Sequence, residues 1–338
     1  MSRVIRFHQF GQADVLKFEE QPTPQPGPGE VLIRVAAIGV SWSDVLWRQD
    51  LAPQHARLPA GLGHELAGEV LAVGEGVDDL SVGTRVASFP AHSVNQYPAY
   101  GDCMLMPRTA LTRYPDLLTS VEASVHYTPL LIAYFAFAEL ARLQPGQRVL
   151  VTDGSRCSGP AAIQLAKAMG AQVITTTSTE DDREYLTQLG ADKVINTEEE
   201  DLVGRIAKLT DSRGVEVVFD ALGGPQMCML GDVMAPCGKL ILYGLNGGNQ
   251  TPFPACAAFK KNFKFFVHCV FDFTGDPELG IVQEREALER ALARINQMTA
   301  DRLLTPQIDR VFAFDKVQDA HRYMETCPSR GRVVLQVE

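Results

Sequence analysis

A run of side chains able to do chemistry opens in the first third of the chain, at Gly39-Val40-Ser41-Trp42-Ser43-Asp44, and resumes at Gly63-His64-Glu65. A catalytic zinc takes three protein ligands, usually a Cys/His mixture, and keeps a fourth position open. Ser41 offers a neutral hydroxyl, a poor ligand for a borderline-soft ion. Thr128, likewise a neutral hydroxyl, would be no better as a third ligand. His64 alone cannot hold a metal. These residues predict a site without metal, in which the substrate is polarised by other means.

A second group of residues reads as a cofactor site. Thr152-Asp153-Gly154-Ser155-Arg156-Cys157-Ser158-Gly159 lies between an expected strand and an expected helix. Free N–H groups at a helix start, together with the helix dipole, favour a pyrophosphate there. Pro160 suits the first helical turn, where its missing N–H costs nothing. The usual fingerprint has a glycine in mid-loop so that backbone can approach the phosphates, but Arg156 and Cys157 occupy that stretch. Arg156 has two readings, a solvent-facing side chain or a direct phosphate contact. Asp220-Ala221-Leu222-Gly223-Gly224 and Tyr243-Gly244-Leu245-Asn246-Gly247-Gly248 also follow strand patterns. Ligands in open α/β sheets bind outside the carboxyl ends of strands, so Leu222, Gly223, Tyr243 and Gly244 join the candidate cofactor residues. After the second strand of this series, an acidic residue would mark NAD. The chain has Thr176-Thr177-Ser178-Thr179 instead. Ser178 leaves room for a 2′-phosphate and Arg183 can pair with one, which favours NADPH, with NADH possible. Glu180, Asp181 and Asp182 crowd the same helix start with opposing charge.

Two kinds of texture must position these groups. In the first third, short strands at Val4 to Phe7, Glu30 to Ile38, Gly68 to Val73 and Thr84 to Ser88 are punctuated by Pro22 to Gly29 and Gly74 to Gly76, the pattern of a small barrel. A helix is expected from Ser120 through Leu140. Beyond Pro145-Gly146 strands and helices alternate: strands at 149–151, 173–176, 194–195, 217–219 and 240–242, helices at 160–169 and 180–189. Such alternation predicts a doubly wound parallel sheet. The tail returns to strands at 311–314 and 332–337 around a helix at 316–324. The expected division is 1–122 with 271–338 as one domain and 123–270 as an inserted nucleotide-binding domain.

Composition excludes several classes. At 338 residues, with 46% hydrophobic and 21% charged residues, the chain has the make-up of a globular protein of about two domains. A formal net charge of -10, without a basic run, argues against nucleic acid as a partner. No apolar stretch approaches a membrane span, and the N-terminus lacks the apolar region of a secretory signal. The seven cysteines (103, 157, 228, 237, 256, 269 and 327) contain no Cys-x-x-Cys pair. Reduced thiols in a cytoplasm are expected.

Together these residues make the chain resemble a medium-chain dehydrogenase/reductase of the zinc-free, quinone-oxidoreductase-like branch. The resemblance runs over the whole length. It rests on Gly39 to Asp44, Arg48, Gly63-His64-Glu65, Gly68, Gly83-Thr84-Arg85-Val86, Pro145-Gly146, Gln164-Leu165-Ala166-Lys167, Gly170-Ala171, Leu189-Gly190-Ala191-Asp192, Asp220 to Gly224 and Gly331 to Leu335. It implies an α/β protein with a GroES-like barrel domain, a Rossmann domain, a cleft between them and a homodimer. The family usually shows Asn where Ser41 stands and Ala-x-x-Gly-x-x-Gly in the phosphate loop. In that alignment Asp153 replaces the alanine, Arg156 replaces the first glycine, and only Gly159 matches. The four cysteines of a structural zinc are also missing, since only Cys103 falls within residues 88–106.

The implied chemistry is hydride transfer from NADPH to a quinone, enone or related carbonyl, a small-molecule acceptor. Without metal, donors must stabilise the charge that develops. Ser41 is the first candidate by position and Thr128 the second; either could instead be a helix cap or core hydroxyl. Asp44 fits an orienting role. His64 fits a structural hydrogen bond or proton donation, and Trp42 and Trp47 fit a cleft lining or the core. A zinc alcohol dehydrogenase and a nucleotide-binding protein with little catalysis are the alternatives.

Overall fold

The computed structural model describes residues 1–326 and 330–337; Cys327 lies outside the described residues. The chain forms two compact units. The first comprises Met1–Thr128, Val270–Ala300 and Pro306–Glu338, the second Pro129–Cys269 and Asp301–Thr305. Residues 123–128, expected in the nucleotide-binding part, group with the first unit. Val125 is buried there with Ala37 and Val334, and that apolar contact holds the segment.

The first unit is built on the strand Glu30–Val40, which pairs antiparallel with Leu66–Val73, Cys103–Pro107 and Arg332–Gln336. Ile308–Ala313 extends the sheet beyond Arg332–Gln336; Arg85–Ser88 and Leu111–Arg113 extend it on the other side. The C-terminal strand returns to pair with Glu30–Val40, so the first unit is assembled from both ends of the chain. Val31, Ile33, Val35 and Ile38 are buried in one core with Leu66, Val70, Val333 and Leu335. A helix the strand pattern does not announce, Trp42–Arg48, follows the central strand directly.

The second unit holds six parallel strands in the order Lys193–Asn196, Gln172–Thr177, Arg148–Val151, Val215–Asp220, Met234–Leu242, Lys264–Val267. The order reverses between Arg148–Val151 and Val215–Asp220, and such switch points open a crevice at the strands' carboxyl ends. Leu150, Ile174, Ile195, Val218 and Leu240 form its buried core with residues of the crossover helices, such as Ile206 and Leu230.

The expected helix from Ser120 through Leu140 is three pieces: Ser120–Ala123, Tyr127–Tyr134 and a π-helical turn at Phe135–Leu140. Pro129 lacks the N–H that would continue a ladder back to Val125, so a new helix starts around it. The helix expected at 180–189 begins as a 3-10 turn, Glu180–Asp182, before Arg183–Gln188. The longest helix, Arg285–Ala300, buries Ala287, Leu288, Ala291, Ile295 and Met298. That spacing is helical. None of the described helices is long and apolar enough to cross a membrane.

Candidate functional site

In the first unit, Ser41 ends the central strand and stands at the N-cap of Trp42–Arg48. Its backbone N–H donates to the Asp44 carboxylate at 2.9 Å, the reciprocal bond of a capping box. Its hydroxyl lies 2.6 Å from that of Ser43. Ser41 thus stands at a helix N-cap, with the Asp44 carboxylate bonded to its main chain. Asp44 is buried and also accepts from the Tyr100 hydroxyl at 3.0 Å. Burial pushes its carboxyl up to about 6, against the pull of its bond to Ser41.

The network continues inward. Tyr100 lies 3.4 Å from Nε2 of His321, whose Nδ1 accepts from Nε of the fully buried Arg48 at 3.2 Å. Arg48 also donates to the Gly11 carbonyl at 2.6 Å and pairs with Glu325. Glu65 pairs with Arg332. So two stretches far apart in sequence, Gly63-His64-Glu65 and Gly331-Arg332, meet as an ion pair.

His64 packs its ring against His92 at 5.2 Å and Phe271 at 5.7 Å. Burial pushes its pKa down to about 4, with Asp276 and the His92 backbone opposing. His92 is buried, neither ring nitrogen has a hydrogen-bond partner, and burial pushes it well below the ordinary histidine value. Both imidazoles are thus neutral at pH 7. No spacing in the sequence marks His92. The Thr128 hydroxyl is buried and unpartnered too. Among the described residues no group of three His, Cys, Asp or Glu side chains gathers as a metal would require. Trp47 belongs to the core and donates to the Gly61 carbonyl at 3.0 Å, whereas Trp42 is exposed.

In the second unit, residues 152–158 link the strand Arg148–Val151 to the helix Gly159–Ala168. The loop is pinned to its neighbours. Thr152 donates to Asp220 at 2.6 Å, and the N–H groups of Asp153 and Gly154 go to the hydroxyl and carbonyl of Thr176 at 3.0 and 2.9 Å. A Cβ on Gly154 would meet the Thr175 hydroxyl at 2.0 Å, and one on Gly159 the Gly154 carbonyl at 2.6 Å. Both glycines are demanded by close packing of loop, strand and helix. The torsional work falls to Asp153 and Cys157, at φ 49° and 50°, and not to Gly154. Ser155 and Ser158 are buried, Cys157 is exposed, and Asn246 donates to its sulfur at 3.5 Å.

Arg156 follows neither reading of the sequence fully. Its side chain is partly exposed and its Nε stands 3.9 Å from the Asp153 carboxylate. Burial pushes Asp153 up, Arg156 pulls it down, and Asp182 and Asp220 push it up further.

At the neighbouring strand ends, Asp220 accepts the N–H of Gly223 at 2.8 Å and of Leu222 at 3.3 Å. Tyr243 stacks on Phe219 at 4.0 Å, and its buried hydroxyl has no partner. Gly244 lies so close to the Ala221 carbonyl that a Cβ would come within 2.5 Å. Ser178 is exposed. Arg183 is already engaged: it pairs with Glu180, reaches Glu200 at 3.4 Å and donates to the Val194 carbonyl at 2.8 Å. A 2′-phosphate would have to compete with Glu180 for it.

A helix N-terminus, a cation in the loop before it, glycine-lined strand ends and an unpartnered buried hydroxyl fit a dinucleotide. Comparison with known proteins agrees. The zinc-binding dehydrogenase family pattern matches residues 159–279 and the alcohol dehydrogenase GroES-like domain matches residues 27–114. The quinone oxidoreductase of Pseudomonas aeruginosa is 32% identical over 74% of this chain and 76% of its own length. The synaptic vesicle membrane protein VAT-1 homolog of Rattus norvegicus is 30% identical over 96% of this chain and 82% of its own. The Escherichia coli quinone oxidoreductase, solved in complex with NADPH, superposes with a TM-score of 0.85 at 25% identity, over 99% of this chain and 100% of that one. The chain belongs to the medium-chain dehydrogenase/reductase superfamily, in its quinone-oxidoreductase-like branch.

Proposed function

We propose that this oxidoreductase uses NADPH to reduce a quinone, an enone or a related conjugated carbonyl, and does so without zinc. The observation that carries the reading is the fate of the would-be ligand positions. Ser41 caps a helix, Thr128 is a neutral hydroxyl, and His64 has a second imidazole rather than thiolates beside it. The cofactor, when bound, supplies hydride from its dihydronicotinamide. The chain's part is to hold it and to stabilise the oxyanion that forms on the acceptor.

In the second unit, the loop 152–158 and the start of Gly159–Ala168 hold the pyrophosphate. Leu222, Gly223, Tyr243 and Gly244 line the strand ends beside it, and Ser178 with Arg183 receives the 2′-phosphate. In the first unit, Thr128 donates to the acceptor oxygen: its hydroxyl is buried with nothing to bond, whereas that of Ser41 is shared with Ser43. Asp44 holds the Ser41 turn in place, and neutral His64 offers a polar contact to the acceptor. NADPH oxidation followed against a panel of quinones and enones tests the reading, and no acceptor-dependent oxidation anywhere in the panel sinks it.

The NADPH-bound bacterial relative supports NADPH over NADH. The Asp153 carboxylate in the phosphate loop favours a second reading, a nucleotide-binding protein with little catalysis. Cofactor titration with and without acceptor separates the two. For the homodimer, the edge strand Lys264–Val267 offers a pairing surface, with Val267 72% exposed on it. Light scattering on the eluting protein tests this, and a monomer mass at all concentrations refutes it.

A further inference from the structure

The phosphate loop carries a charge pair that opposes the ligand it is built to take. Asp153 is held at φ 49° with its carboxyl side chain only 10% exposed. The groups facing it are Arg156 from its own loop, Asp182 from the turn after Gln172–Thr177, Asp220 at the end of Val215–Asp220, and the Tyr243 hydroxyl. Asp182 and Asp220 accept hydrogen bonds from Thr177 and Thr152; neither gives Asp153 a donor. Arg156 answers it, yet only at 3.9 Å, beyond hydrogen-bond reach, and with its side chain 41% exposed. A pair at that separation, with its cation half in solvent, is weakly held.

Arg156 also sits just before a helix N-terminus, where a cation opposes the dipole. Without the pair, the loop would have an unanswered buried carboxylate and a misplaced cation. A pyrophosphate gives the guanidinium shorter, charge-assisted bonds than Asp153 does.

We infer that Asp153 and Arg156 form a latch on the cofactor site: Asp153 holds Arg156 while the loop is free, and the arginine passes to the cofactor's pyrophosphate on binding. This rests on the dinucleotide reading of the loop. The exchange leaves Asp153 unpaired beside Asp182 and Asp220, so it takes up a proton from solvent as the cofactor binds. Affinity for both cofactors is therefore lower than the loop allows and rises as pH falls.

The test is equilibrium binding of NADPH and NADH to the full chain, with adenosine 2′-phosphate, which lacks the pyrophosphate, as the control ligand. Asn tolerates left-handed backbone, so Asp153→Asn keeps the fold, and a melting curve checks it. Asp153→Asn should tighten both dinucleotides roughly tenfold and flatten the pH dependence. Arg156→Gln should weaken both, and adding Asp153→Asn to it should recover much less than it gains alone. Adenosine 2′-phosphate should bind all variants alike. The latch is overturned if Asp153→Asn binds dinucleotides no more tightly than the natural chain, if its gain is the same with Gln at position 156, or if the control ligand gains equally. If neither the natural chain nor Asp153→Asn binds either dinucleotide, the cofactor reading falls and the latch with it.

Discussion

One carboxylate oxygen of Asp44 accepts both the Tyr100 hydroxyl, at 3.0 Å, and the Ser41 N–H, at 2.9 Å. It thereby ties the cap of Trp42–Arg48 to the buried chain of Tyr100, His321 and Arg48. Asp44→Ala leaves the buried Tyr100 hydroxyl without an acceptor and a cap N–H without a partner, and should cost about 1–3 kcal/mol in denaturant unfolding at pH 7. Asp44→Asn keeps an acceptor oxygen and should cost much less. The natural Asp44 is raised to about 6 on folding, so the native state binds more protons than the unfolded chain between about pH 4 and 6. Its contribution is present below that window and is lost as pH rises through it. The stability of Asp44→Asn relative to the natural chain should therefore improve from pH 4 to 7; a constant difference would mean that Asp44 is not desolvated.

Buried histidines act in the opposite sense. His64 is pushed down to about 4 and His126 and His321 to about 3, each chiefly by burial. The unfolded chain binds protons at these sites from about pH 6.5 downward while the native state does not. Stability should be full above pH 7 and fall as pH drops from 6.5 toward 4. Urea midpoints at pH 7 and pH 5 check this, and equal midpoints would contradict neutral burial.

Thr128→Val separates catalysis from folding. The hydroxyl has no protein partner, so its replacement by a methyl of the same shape should leave the melting temperature unchanged or raised. If Thr128 donates to the acceptor oxygen, kcat should fall roughly a hundredfold. Unchanged kcat assigns the hydroxyl to the core.

Glu180 restrains Arg183. Glu180→Gln should release the guanidinium toward a 2′-phosphate and raise the ratio of NADPH to NADH affinity severalfold. A ratio that stays fixed in Glu180→Gln and in Arg183→Ala would make Arg183 a brace between Glu200 and the Val194 carbonyl, with no part in cofactor choice.

The protein purified without added metal should carry far less than one zinc per chain. Elemental analysis after dialysis decides this, and a stoichiometric value restores the alcohol dehydrogenase alternative.

Periodicity and punctuation made the strand-rich first part and the parallel sheet of the second legible. Glu30–Val40 is legible as a strand because Val31, Ile33 and Val35 recur at period two, although residues on both of its faces are buried, and the βαβ run after Pro145 follows from the crossovers a parallel sheet needs. The glycines after Val215–Asp220 and Met234–Leu242 marked the strand ends, and the position of Ser41 left it open as a helix cap or a core hydroxyl. What the tertiary structure decided is which polar groups are already satisfied. Arg183 reads as a phosphate ligand until Glu180, Glu200 and the Val194 carbonyl are seen around it. Arg156 reads as exposed or as a phosphate contact until Asp153 appears beside it. His92 carries no local signal at all, since its burial against His64 depends on a loop that returns from the far end of Arg85–Ser88. Satisfaction of a hydrogen bond or a charge is a property of neighbours brought together by folding, and spacing along the chain does not encode it.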